Sequence, residues 1–238
     1  MHATECPING GVDTGLYHRA LHCSDMYRLH CFAQSGNTFK VAFMLRALDV
    51  PYEPVFVDYF GGATRAAAWR EGVNEMGEIP VLEDGERRLT QSGAILMYLA
   101  AKHRSFGGES EEDRLEVLRW ILFDNHKFTS YFGTYRFMKS FGPTAPDPAV
   151  MAFLKARIES SYGVVDKHLA NREFLVGSGP TIADFSLSGY VFYPENESGL
   201  DLRARFRNFA AWVERLKRVP GWGDPYHVLP GAKIEPKW

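Results

Sequence analysis

The chain of 238 residues has only three cysteines, little net charge and no apolar run long enough to cross a bilayer. Cys6, Cys23 and Cys31 are odd in number and irregular in spacing, which argues against a disulfide framework and a zinc site and points to a reducing, cytoplasmic setting. Lys plus Arg total 27 against 29 Asp plus Glu, a formal net charge of -2. Such a balance gives no electrostatic footprint for a nucleic acid or an anionic membrane, and neither is expected as a partner. The apolar stretches stop well short of the ~20 residues a membrane helix needs. Internal repeats and low-complexity segments are also missing. Residues 1–25 have no periodicity and no long apolar core of a secretory signal; they are read as a leader, either disordered or ahead of a later start at Met26.

What is present suits two modest domains, with 45% hydrophobic residues to fill them. Met26 to Phe32 alternates like a strand. After the polar break at Ala33 to Asn37, Thr38 to Leu48 carries apolar residues at helical spacing, and Tyr52 to Val57 reads as a second strand. Arg65 to Arg70 suits a short helix. Asp84-Gly85 is a hairpin signal between two short strands, and Ser92 is placed to cap a helix through Lys102. The order is βαβ followed by ββα over residues 26–104. Residues 105–110 form a small, polar linker. Residues 111–238 are read as an all-helical domain with a C-terminal tail: helices at 111 to about 139, 149–169, one opened by the capping box Thr181-Ile-Ala-Asp184 and reaching about Phe192, and 206–218.

Three local motifs in this order resemble the soluble glutathione S-transferase family over about residues 26–225. Ser35-Gly36-Asn37-Thr38-Phe39-Lys40-Val41 is similar to the serine-type active-site loop, of the kind also found in bacterial members, with its serine six residues before a helix valine. Ile79-Pro80-Val81-Leu82-Glu83-Asp84-Gly85 is similar to the family's cis-proline loop and hairpin. Gln91-Ser92-Gly93-Ala94-Ile95 is similar to its acidic-or-Gln plus Ser pair at the third helix. The resemblance implies a thioredoxin-like N-terminal domain, an all-α C-terminal domain, a homodimer, and glutathione as co-substrate with no metal. The implied activity is a transferase of detoxification, joining the thiolate to a small, largely apolar electrophile.

The chemistry asked of these residues is specific. A thiol with a pKa of about 8.5 is mostly protonated at neutral pH, and the thiolate is the nucleophile. A hydroxyl donor and a helix N-terminus both favour the charged sulfur. Ser35 sits where the two meet, although Ser-Gly-Asn is also ordinary helix-entry chemistry; Asn37 and Thr38 are its alternates. In the resembling family the Ile79-Pro80 loop presents the Ile79 backbone to the cysteinyl part of the tripeptide. Gln91 and Ser92 are implied to hold the γ-glutamyl end. Glu78 stands where relatives often carry Lys or Gln facing the glycyl carboxylate; a carboxylate there repels the ligand unless it points away, and Lys40 is the other candidate for that end. Phe128, Tyr131 and Tyr135, at helical spacing, and Trp222 are read as the wall of the co-substrate pocket or as core. Asp124 is implied to reach the γ-glutamyl ammonium across a dimer interface. Cys31 reads as buried and inert. Two other functions compete: a non-catalytic binding module on the same fold, and a thiol-disulfide reductase, which ranks last because Ser35 to Val41 contains no cysteine.

Overall fold

The computed structural model describes residues 26–238, so the leader reading lies outside the described part. Strand β1 (Tyr27–Cys31) buries Leu29 and Cys31 completely and forms the inner rail of a four-stranded sheet in the order β2-β1-β3-β4. Strand β2 (Tyr52–Phe56) pairs with it in parallel, from Tyr27 opposite Tyr52 to Cys31 opposite Phe56. Strand β3 (Val81–Asp84) runs antiparallel on the other side of β1, and β4 (Arg87–Thr90) closes the hairpin. Its turn is Gly85-Glu86, one residue later than the sequence signal, with Gly85 in the left-handed region at φ 58°. Helix α1 (Gly36–Ala47) returns the chain between β1 and β2, and α3 (Ser92–His103) follows β4. The expected short helix is α2 (Ala67–Gly72), entered through a 3-10 turn at Ala63–Arg65.

Past residues 104–110 the described structure is helical. Helix α4 (Glu111–Phe123) opens with a capping box in which Ser110 accepts from the Asp113 N–H at 3.0 Å and Asp113 accepts from the Ser110 N–H at 3.1 Å. The expected single helix to Lys139 is interrupted by a π turn at Asp124–Phe128 before α5 (Thr129–Ser140). Helices α6 (Pro148–His168), α7 (Ile182–Leu187), α8 (Leu202–Arg205), α9 (Arg207–Leu216) and α10 (Pro225–Val228) complete the element order. Helix α7 stops at Leu187, five residues short of Phe192, because the chain must leave α7 to bring Gly189 and Tyr190 against α1.

One hydrophobic cluster runs through both halves and joins Phe39 and Phe43 of α1 to Trp120, Tyr162, Phe185 and Trp212 of the helical half. The capping box at Thr181 is pinned into that core. Asp184 accepts from the Thr181 and Leu175 backbone N–H groups, the Thr181 hydroxyl and Trp212 Nε1, all within 3.1 Å. Burial pushes its carboxyl up, against these donors, and its place is structural. Among the described residues no helix is long and apolar enough to cross a membrane.

Candidate active site

A cleft of about 500 Å³ opens where α1, the β3 entry, the α3 start and α5 converge. Ser35 is the N-cap of α1, in extended conformation at φ -88° and ψ 101°. Its Oγ accepts the Thr38 N–H at 3.2 Å and the Thr38 hydroxyl at 2.8 Å. Both bonds spend oxygen lone pairs, so the Ser35 proton is the part of the group left to donate into the cleft. The side chain is buried but lines the cleft wall, with the positive end of a twelve-residue helix behind it. Asn37 lines the cleft as well. Thr38 does not: it is fully buried behind Ser35 and orients it, which corrects its place as an alternate donor.

The entry of α1 is held by a close approach. A Cβ at Gly36 would lie 2.5 Å from the Gly189 carbonyl oxygen and 2.6 Å from the Tyr190 ring, so only glycine lets the helical half reach this turn. The helical half also grips the loop by its carbonyls. The Tyr193 hydroxyl donates to Ala33 O at 2.8 Å, and Arg136 donates to Gln34 O at 2.8 Å. Arg136 is buried, ion-paired to Glu197 at 2.5 Å, and lies 4.1 Å from the Tyr193 ring centroid. Tyr226 donates to Glu197 at 2.6 Å, and burial together with that bond pushes its phenol up.

Opposite Ser35, the Ile79-Pro80 peptide is cis, and Glu78, Ile79 and Pro80 line the cleft. The Asn74 amide donates to the Glu78 carbonyl at 2.9 Å and fixes this loop from below. Gln91, not Ser92, is the N-cap of α3, at φ 66° and ψ 114°, a strained conformation for a residue with a Cβ. Ser92 is the first helical residue and, without a side-chain cap in front of it, the α3 start faces the cleft.

Six further residues expected at the site lie elsewhere, as Thr38 does. Lys40 is fully buried and donates to Asp124 Oδ2 at 2.6 Å, so it cannot meet a ligand. Asp124 is equally buried and also accepts from Thr129 at 2.5 Å and Ser186 at 2.7 Å; it joins the two halves of its own chain and does not face a partner. Phe128 stacks on Tyr162 at 4.2 Å, Tyr135 is buried, and Tyr131 packs on the core. Trp222 packs on Phe192 beside Gly221, whose carbonyl accepts from Arg46 near the C-terminal end of α1. That end is about 17 Å from Ser35 at 1.5 Å per residue.

Along α5 and the turn before it, Asn125, Thr129, Ser130, Gly133 and Thr134 line the cleft with short side chains that leave space open, and Arg136 and Phe137 follow them. Its apolar end, missed in the sequence, comes from Phe32, Tyr59, Phe60, Phe137 and Phe141. Phe60 lies parallel to Phe137 at 6.5 Å and 5.6 Å from Phe141. Tyr190 closes the floor; burial pushes its phenol up, so it stays protonated at neutral pH.

Cys31 is buried, with Sγ 3.7 Å from Val55 O, and burial pushes its thiol up to about 12. In a Cys6→Ser/Cys23→Ser variant at pH 8, an aromatic disulfide reagent is expected to label no thiol until denaturant is added; rapid native labelling would contradict the inert assignment.

A thioredoxin-like sheet domain joined to a helical domain, with a cleft bounded by a helix-capping serine and a cis-proline loop, defines the class. Residues 27–101 match the family described as "Glutathione S-transferase, N-terminal domain" and residues 148–215 match "Glutathione S-transferase, C-terminal domain". Glutathione S-transferase 3 of Zea mays is 30% identical, covering 85% of this chain and 94% of its own length. A crystal structure of a glutathione S-transferase from Pseudomonas fluorescens is 32% identical, covers 84% of this chain and 99% of its own, and superposes with a TM-score of 0.75. The structure titled Ure2p in complex with glutathione is 24% identical, covers 83% of this chain and 96% of its own, and has a TM-score of 0.74, a likeness of fold. The chain belongs to the glutathione S-transferase family.

Proposed function

We propose that this protein is a serine-type glutathione transferase in which the Ser35 hydroxyl holds the glutathione thiolate against the apolar end of the cleft. The observation that carries the reading is the hydrogen-bond arrangement at Ser35, whose oxygen accepts twice from Thr38 and so turns its own proton outward. Ile79 contributes backbone groups for the cysteinyl part, and Ser92 with the α3 start receives the γ-glutamyl carboxylate. The sulfur lone pair forms the S–C bond to a small apolar electrophile beside Phe60, Phe137 and Phe141. In an addition the displaced electron pair stays on the acceptor, which takes a proton from water. In a displacement it departs with the leaving group. The setting is cytoplasmic detoxification. The working form is a homodimer, a reading supported by exposed Met97 on α3 and by Leu115 and Leu122 on one face of α4.

The second reading, a non-catalytic module, is supported by the fold likeness to a protein named Ure2p rather than a transferase. Glutathione at about a hundredfold excess over its Kd adds about 2.7 kcal/mol to the native state. At about 2–4 °C per kcal/mol for a chain of this size, Tm is expected to rise by roughly 5–10 °C. Such a rise without measurable turnover of any electrophile would favour the module, and no rise at millimolar glutathione would count against both readings.

A further inference from the structure

At the γ-glutamyl corner the cleft presents a carboxylate with no basic partner. We propose that Glu78 receives the α-ammonium of the γ-glutamyl group, a job that rests on the glutathione reading above and makes Glu78 a recognition residue rather than an obstacle.

Gln91 Nε2 donates to Glu78 Oε2 at 2.9 Å, which turns the carboxylate toward the start of α3. The Glu78 backbone is itself fixed by buried Asn74. Among the described residues no Lys, Arg or His lies within ion-pairing distance of Glu78. The other charged residue of the cleft wall, Arg136, is already paired with Glu197. An α-amino-acid group is a zwitterion. Its carboxylate is served by the N–H groups of a helix start, and its ammonium needs an acceptor a few ångströms away. Ser92 and Glu78, bridged by Gln91, offer that pair on one wall of the cleft. Asp124, the acceptor expected from the sequence, is consumed by Lys40 inside the core.

The test is calorimetric titration of the full chain and its Glu78→Gln variant with three ligands: S-methylglutathione, its desamino counterpart, and its glycyl ethyl ester. Glu78 is exposed, so the amide substitutes without disturbing the core. The wild type is expected to prefer S-methylglutathione over the desamino ligand by about tenfold, the scale of one charge-assisted hydrogen bond. In the variant that preference falls to about twofold, through weaker binding of both ammonium-bearing ligands, the ester included. Tighter binding of S-methylglutathione by the variant, with the ester unchanged, would place Glu78 at the glycyl carboxylate and overturn the proposal. A wild type that binds all three ligands without amino preference overturns it alone. A wild type that binds none overturns it together with the glutathione reading.

Discussion

Ser35→Ala is expected to lower kcat/KM for glutathione-dependent turnover by about 100-fold, the scale of losing one preorganised donor to a developing or resident anion. The loss is expected on kcat and on the pH profile, because the proposed tripeptide contacts at Ile79, Gln91 and Ser92, which line the same cleft, are left in place. A donor to sulfur favours the thiolate, so in the wild type the bound thiol is expected to ionise below its free value. The rate then falls as pH drops through that lowered value. Without the donor the acid limb moves up toward about 8.5, and each unit of movement is about 1.4 kcal/mol of thiolate stabilisation removed. Steady-state kinetics from pH 5.5 to 9 with several electrophiles checks this. Unchanged rates and an unmoved limb would remove Ser35 from the chemistry. Asn37→Ala, changing a group beside the serine, is the natural control for which side chain faces the sulfur.

Lys40→Met is expected to destabilise the fold by about 3–5 kcal/mol, because it leaves the fully buried Asp124 carboxyl without its cation. At about 2–4 °C per kcal/mol, Tm falls by roughly 6–20 °C. The hydroxyls of Thr129 and Ser186 still donate to Asp124, but two neutral donors do not replace a neighbouring charge. Pairing the change with Asp124→Leu removes the orphaned charge and is expected to recover most of the loss, since a buried ion pair exchanged for apolar side chains is close to neutral. Thermal denaturation of the single and double variants checks this. A single variant as stable as the wild type would contradict the strut role of the pair.

The fold was readable because its signals are local. Alternation in β1, the Thr181–Asp184 box, and the hairpin at Gly85 each need only a few adjacent residues. One wall of the cleft was legible for the same reason: Ser35, Asn37, Ile79, Pro80, Gln91 and Ser92, which line it, all sit at element boundaries, where side chains and free backbone groups meet solvent. The helical wall was not. Aromatic periodicity at Phe128 and Tyr135 reports the face that fills the core, whereas a cleft face is marked by small polar residues such as Thr129, Ser130 and Gly133 that leave room. Lys40 and Asp124 are 84 positions apart, and Arg136 and Glu197 are 61 apart. A lysine in a helix has no local mark that distinguishes a solvated face from a buried pair. Serine is the commoner cap, so the local pattern points to Ser92 and not to Gln91; the positive φ at Gln91 is a tertiary strain that the sequence does not carry.

The most direct measurement is a crystal structure of the protein with glutathione in the cleft. The sulfur is expected within hydrogen-bond distance of Ser35 Oγ, with the cysteinyl backbone along Ile79 and the γ-glutamyl carboxylate at the α3 start. A sulfur held by Asn37 or Tyr190 with Ser35 turned away, or a tripeptide bound outside this cleft, would contradict it.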